Sequence, residues 1–132
     1  MKRTIKRVLS CVIATALCLS ITSTAFASTS TKSAGNYGTL KGTMTVSSSK
    51  AYASVSITTN PDNAYLTFKA EVVNSAGISV VEPYESYSNT GVTSYSDSSA
   101  TLPSSSYKIF GTHGVQGGST NPSYAVYTST SI

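Results

Sequence analysis

The chain has 132 residues, and nine Lys and Arg against five Asp and Glu give it a formal net charge of +4. Lys2, Arg3, Lys6 and Arg7 all precede or open the first apolar run, so the remainder keeps five lysines against five acids and is close to neutral. With Cys only at positions 11 and 18, no Trp and a single His, the composition excludes a polybasic nucleic-acid binder, a thiol enzyme downstream of the leader and a Cys-ligated zinc module.

Met1 to Arg7 forms a basic n-region. Val8 to Ile21 is apolar apart from small polar interruptions, and Ala25-Phe26-Ala27 fits the small-x-small pattern of a signal-peptidase site. The expectation is a signal peptide over residues 1–27, read through Ala25 and Ala27, of a kind that fits bacterial export. The apolar run is shorter than the roughly 20 residues a membrane-spanning helix needs, and no second run follows. The protein is therefore expected to be secreted or loosely associated with the cell surface, and not integral to a membrane. Both cysteines leave with the signal, so the exported chain has no disulfide.

Residues 28–36 are small and polar without periodicity and read as a flexible leader. Residues 37–132 form one domain in which apolar positions recur with period two and no helical stripe occurs. Leu40, Gly42, Met44 and Val46 share one face of a first strand; Ala51, Ala53, Val55 and Ile57 share one face of a second. A hairpin about residues 47–50 pairs Val46 with Ala51, Met44 with Ala53 and Leu40 with Ile57. Asn60-Pro61-Asp62-Asn63 is a turn, because Pro fixes φ and Asp and Asn bond to the turn backbone. A third strand places Ala64, Leu66, Phe68, Ala70 and Val72 on one side. Folded back as a second hairpin, it pairs Ile57 with Leu66, Val55 with Phe68, Ala53 with Ala70 and Ala51 with Val72. A slip of one residue in either hairpin would set apolar against polar throughout, so this meander is the firmest expectation.

Ile78 to Tyr84 reads as a strand ended by Pro83, 85–91 as a connection, and Val92 to Thr101 as a polar strand. Tyr107 to Gln116 and Ser123 to Ser131 form a hairpin about residues 117–122. Six or seven short antiparallel strands with frequent turns predict a small all-β sandwich.

Few side chains offer chemistry. His113, flanked by Gly111 and Gly114, could act as a base toward one of many serines, but no nucleophile-elbow spacing is present and a half-buried sheet histidine explains it. Glu82 and Glu85 are three apart, which puts them on opposite faces of an extended strand. A calcium site built from Glu82, Glu85 and Asp97 with backbone carbonyls is a further reading. Asp62 belongs to its turn and Glu71 to a solvent face. Gly117-Gly118-Ser119-Thr120 lacks the Lys and the helix of a phosphate loop. No cofactor is expected.

Tyrosine, with nine copies, is the abundant side chain able to make contacts. Tyr52 and Tyr65 lie on the polar side of the meander, and Tyr84, Tyr87 and Tyr95 gather around the central loop. These five are the candidate binding residues, since a phenol is apolar in body and polar at its tip. Near-neutral charge disfavours nucleic acid and suits a glycan, cell-wall or protein surface; lightly guarded sheet edges leave self-association open. The expectation is a small secreted bacterial binding protein without catalysis. In its gross features, a signal peptide followed by a short Cys-free all-β chain, the sequence also resembles the lactococcin 972-like bacteriocins. That likeness implies antibacterial action as the alternative function and assigns no role to any residue.

Overall fold

Eight strands account for most of the described residues in a computed structural model that describes residues 26–132: β1 Phe26–Ser33, β2 Thr39–Ser47, β3 Lys50–Ser56, β4 Tyr65–Val73, β5 Tyr84–Thr90, β6 Ser94–Ser98, β7 Lys108–Gln116 and β8 Tyr124–Ser131. They make two antiparallel four-stranded sheets, ordered β1-β2-β3-β6 and β5-β4-β7-β8. The only helical element among the described residues is a 3-10 turn at Gly35–Tyr37, and none is long and apolar enough to cross a membrane. The basic n-region, the apolar run and Ala25 lie outside the described residues.

The alternation assigns the faces correctly. Leu40, Met44 and Val46, then Ala51, Ala53, Val55 and Ile57, then Ala64, Leu66, Phe68, Ala70 and Val72 are all buried. The β2–β3 hairpin has the expected register, with Val46 opposite Ala51 and Met44 opposite Ala53. Ser48 and Ser49 both take positive φ in its two-residue turn, the conformation that matches the twist of the flanking strands.

The second expected hairpin does not form. Beyond the turn at 60–63 the chain crosses to the other sheet. β3 pairs with β6, while β4 pairs with β5 and β7. A period-two pattern fixes which face of a strand is buried but not whether its apolar partner lies beside it or across the core. Here the two apolar faces look at each other across the sandwich. Asn60 holds the crossover: its amide accepts from Ala64 N at 3.0 Å and donates to the carbonyls of Ala64 and Val92 at 2.9 and 2.8 Å. The β7–β8 hairpin forms as expected, from Lys108 opposite Ser131 to Val115 opposite Tyr124.

Among the described residues there are eight strands rather than six or seven, and the extra ones are polar. Residues 28–33, expected as a flexible leader, complete β1 along β2, with Thr29 and Thr43 hydroxyls 3.2 Å apart. Residues 85–90, expected as a connection, belong to β5. Of Ile78 to Tyr84, expected as a strand, Tyr84 opens β5 and the rest forms no strand, its ladder contacts being a bridge from Ser79 to Val73 and a Val80 N–H to Val72 carbonyl bond of 2.9 Å. β1, β5 and β6 are edge strands, and an edge of a sandwich needs backbone partners more than an apolar face.

The core has two apolar lobes. One centres on Tyr37, Leu40, Val55, Leu66 and Val115, the other on Met44, Ala53, Phe68, Val72 and Ile109. His113 lies near the waist between them, fully buried, its ring 5.4 Å from that of Phe68 and its Nε2 2.8 Å from Thr128 Oγ1. The ring fits because β2 has Gly42 beneath it, where any Cβ would overlap the imidazole.

Candidate functional site

The five candidate tyrosines fall into three groups. Tyr52 stands on the outer face of the first sheet, opposite Thr45 and Ser98, and is 45% exposed. Its surroundings are Thr43, Thr45, Ser96 and Ser98, with no second aromatic ring among the residues lining that shallow surface. Tyr65 was expected on the same face. Because β4 belongs to the other sheet, Tyr65 lies on the opposite outside surface of the molecule, with Thr90 and Gln116 as its strand partners. Glu71, expected on a solvent face, pairs with Phe110 on β7. Two sheets stacked at about 10 Å separate Tyr52 from Tyr65.

Tyr65 is joined there by Tyr87, the two ring centroids being 5.8 Å apart in an edge-on arrangement. Tyr87 thereby parts from Tyr84 and Tyr95, with which the sequence grouped it. In an extended strand residues 84 and 87 point to opposite faces. The Glu85 carboxylate beside the Tyr87 hydroxyl pushes this phenol above its ordinary pKa, so it stays neutral.

The register across the second sheet lays out a shallow trough. One cross-strand row runs Tyr87, Thr67, Gly114, Ala125; the next runs Glu85, Lys69, Thr112, Tyr127. Small side chains form the floor, and the space above it amounts to about 410 Å³. Tyr127, 71% exposed, bounds it on the β8 side, and Tyr87, 51% exposed, stands at the end of the neighbouring row on β5. Gly114 keeps the floor low: a Cβ there would come within 2.7 Å of Thr67 Oγ1 and 3.2 Å of the Tyr124 carbonyl oxygen. Gln116, Lys32, Lys69 and Glu85 supply hydrogen-bonding groups on the lining. Phe110, with Lys108 Nζ 5.9 Å from its ring centre, extends the aromatic character of this face. Sequence reasoning did not select Tyr127 or Phe110. The signal was available in the phase of β7 and β8, which puts both opposite the buried residues.

Tyr84 and Tyr95 turn inward between the two edge strands β5 and β6 and meet at Asp97. The Tyr84 hydroxyl donates to Asp97 Oδ2, Ser86 Oγ donates to the same oxygen at 2.8 Å, and Ser98 N–H donates to Oδ1 at 2.8 Å. Tyr95 bonds to Ser86 and approaches Asp97 at 3.4 Å. The Tyr84 and Ser86 donors hold the Asp97 carboxyl below its usual range, and the Asp97 carboxylate in turn pushes the Tyr84 phenol up. This polar cluster joins the first sheet to the second along their open side.

The remaining candidates resolve into structure. Burial pushes the His113 imidazole down to about 4, with the Ser54 backbone beside it working the other way. Its partner is Thr128 rather than a serine. Asp62 is buried and ties the 60–63 turn to the β7–β8 loop, its Oδ2 accepting from Thr120 N at 3.1 Å, Asn121 N at 2.9 Å and Asn121 Nδ2 at 2.9 Å. Burial opposes its charge, but these donors and the Tyr37 hydroxyl outweigh it and hold the carboxyl at about 2. The same contact, after burial itself, raises Tyr37 to about 12. Among the described residues no three His, Cys, Asp or Glu side chains converge as a metal site requires, so Glu82, Glu85 and Asp97 do not come together. Comparison of the chain with protein-family models, with curated proteins and with solved structures finds no match.

Proposed function

We propose that this is an exported bacterial binding module, without catalysis, that holds a neutral glycan chain on the outer face of its second sheet. The observation that carries the reading is a floor of Thr67, Thr112, Gly114 and Ala125 lined by Tyr127 on β8, with Tyr87 at the β5 end of the Thr67 row. Three strand spacings separate β5 from β8, about 14 Å, enough for a short run of sugar rings to lie between the two phenols. Sugar rings present C–H faces to aromatic planes and hydroxyls to the side chains between them. Thr67, Thr112 and Gln116 are suited to those hydroxyls, being neutral donors and acceptors. Lys69 and Glu85 are strand partners of opposite charge, and Lys32 is the one further charge on the lining, so the field that could attract a polyanion is weak. Export through the N-terminal address would bring the module to cell-wall or extracellular polysaccharide.

The test is co-sedimentation of residues 26–132, which comprise both sheets, with insoluble cellulose, chitin, mannan and peptidoglycan sacculi. At least one should retain the protein, and the Tyr87→Ala/Tyr127→Ala variant should stay in the supernatant. Retention of that variant at the wild-type level would refute the assignment of this face.

A further inference from the structure

A second site lies inside the sandwich, away from the trough. At the end of the core lobe built on Met44 and Ile109, a cavity of about 150 Å³ has an apolar floor of Ala51, Phe68, Ala70, Val72, Leu102 and Ile109. Those six side chains are buried, whereas Glu82, Tyr84, Ala100 and Thr101 on its rim are exposed. The cavity therefore opens to solvent between the irregular segments 81–83 and 99–102. An apolar cavity of this size takes a benzene-sized group. Tyr84 connects it with the polar cluster: its ring forms part of the wall, 6.2 Å from that of Phe68, while its hydroxyl bonds to Asp97. The donors around Asp97 are the neutral hydroxyls of Tyr84, Ser86 and Tyr95 and the backbone N–H of Ser98, so its negative charge is solvated but not balanced. Glu82 adds a second carboxylate to the rim.

An apolar hole with the Glu82 carboxylate and the Tyr84 ring at its mouth, and Asp97 behind the hydroxyl of that ring, is complementary to a cation that carries a compact apolar body. We infer that this cavity binds a small aralkylammonium ion. The ring of the ligand sits against Phe68, Val72 and Ile109, and its protonated amine lies at the rim against Glu82 and the Tyr84 ring, on the side of Asp97. Desolvated against an aromatic ring, an ammonium group gains from the ring quadrupole as well as from the carboxylates. The site does not depend on the glycan reading and shares neither Tyr87 nor Tyr127 with it.

Methyl NMR of residues 26–132 during titration with benzylammonium chloride, and separately with the neutral isostere benzyl alcohol, tests it. Benzylammonium should produce saturable shifts at Val72, Leu102 and Ile109, with benzyl alcohol weaker by about fivefold. Glu82→Gln, a surface change that leaves the core intact, should remove most of that difference. Ala70→Leu, which fills the floor, should abolish both responses. No methyl shift with either compound up to about 20 mM would overturn the proposal. Equal binding of both compounds, or an unaltered preference in Glu82→Gln, would overturn its ionic part and leave a merely apolar hole.

Discussion

The outer faces of the two sheets are built from the same Ser- and Thr-rich alternation and differ in where the aromatic rings fall. On β1, β2, β3 and β6 the outward positions carry Thr, Ser and Lys with Tyr52 alone among them; on β5, β4, β7 and β8 they carry Tyr65, Tyr87, Phe110 and Tyr127. Inner faces do not distinguish the sheets, since both contribute to each core lobe. Strand formation alone would scatter tyrosine over both outer faces, because Tyr favours strands wherever they lie. Its concentration on one face, around a floor kept low by Gly114, is the feature on which the proposed glycan reading rests. The first sheet serves as an internal control for the second.

The largest expected effect removes the difference between the faces. Tyr87→Ala/Tyr127→Ala should cost roughly 2–4 kcal/mol of glycan binding, on the scale of two buried aromatic contacts, with the melting temperature little changed; sedimentation binding and calorimetry read the two quantities. Next comes an acid effect that should strike both sheets together. The folded chain binds a proton at His113 less tightly than the unfolded chain does, at about 4 against 6.5. The stabilisation is therefore complete above pH 6.5, shrinks as pH falls toward 4, and loses on the order of 3 kcal/mol before levelling off. Denaturant midpoints measured between pH 7 and 4 should decline over that window, and His113→Gln should flatten the decline. A midpoint that is flat to pH 5 in the wild type would mean that His113 is not held neutral.

Gly42→Ala should destabilise the fold by about 1–3 kcal/mol, because the added Cβ meets the His113 ring in a packed core. Binding by the folded fraction should be unaltered, since Gly42 lies on the inner side of the first sheet. Smallest of all, Tyr52→Ala should change glycan retention by less than about twofold, as expected for an isolated ring on the face without a trough. A loss as large as that of the Tyr87/Tyr127 pair would erase the distinction between the sheets.

Which face of each central strand is buried was legible in the sequence, as was the register of the β2–β3 hairpin, since alternating Leu40 to Val46 and Ala51 to Ile57 leave little freedom. The partner of β4 was not. Phe68 is as well satisfied across the core as beside Val55, and the alternation does not say which. The polar edges were hard to see for a related reason: β1 and β5 present no apolar stripe, because one side of an edge strand and much of its faces remain in water. The candidate site shared that fate. Tyr65 and Tyr87 were singled out, but their meeting depends on the β4–β5 pairing. Tyr127 joins them only through the order β5-β4-β7-β8, a long-range property that no local pattern states.

The most direct test of the account is an amide NMR titration of residues 26–132 with soluble cello-, chito- and manno-oligosaccharides. The account predicts that a binding oligosaccharide shifts the amides of Thr67, Tyr87, Thr112, Gly114 and Tyr127 while those of Thr45, Tyr52 and Ser98 stay in place. Shifts confined to the Tyr52 face, or none with any of the three series, would contradict it.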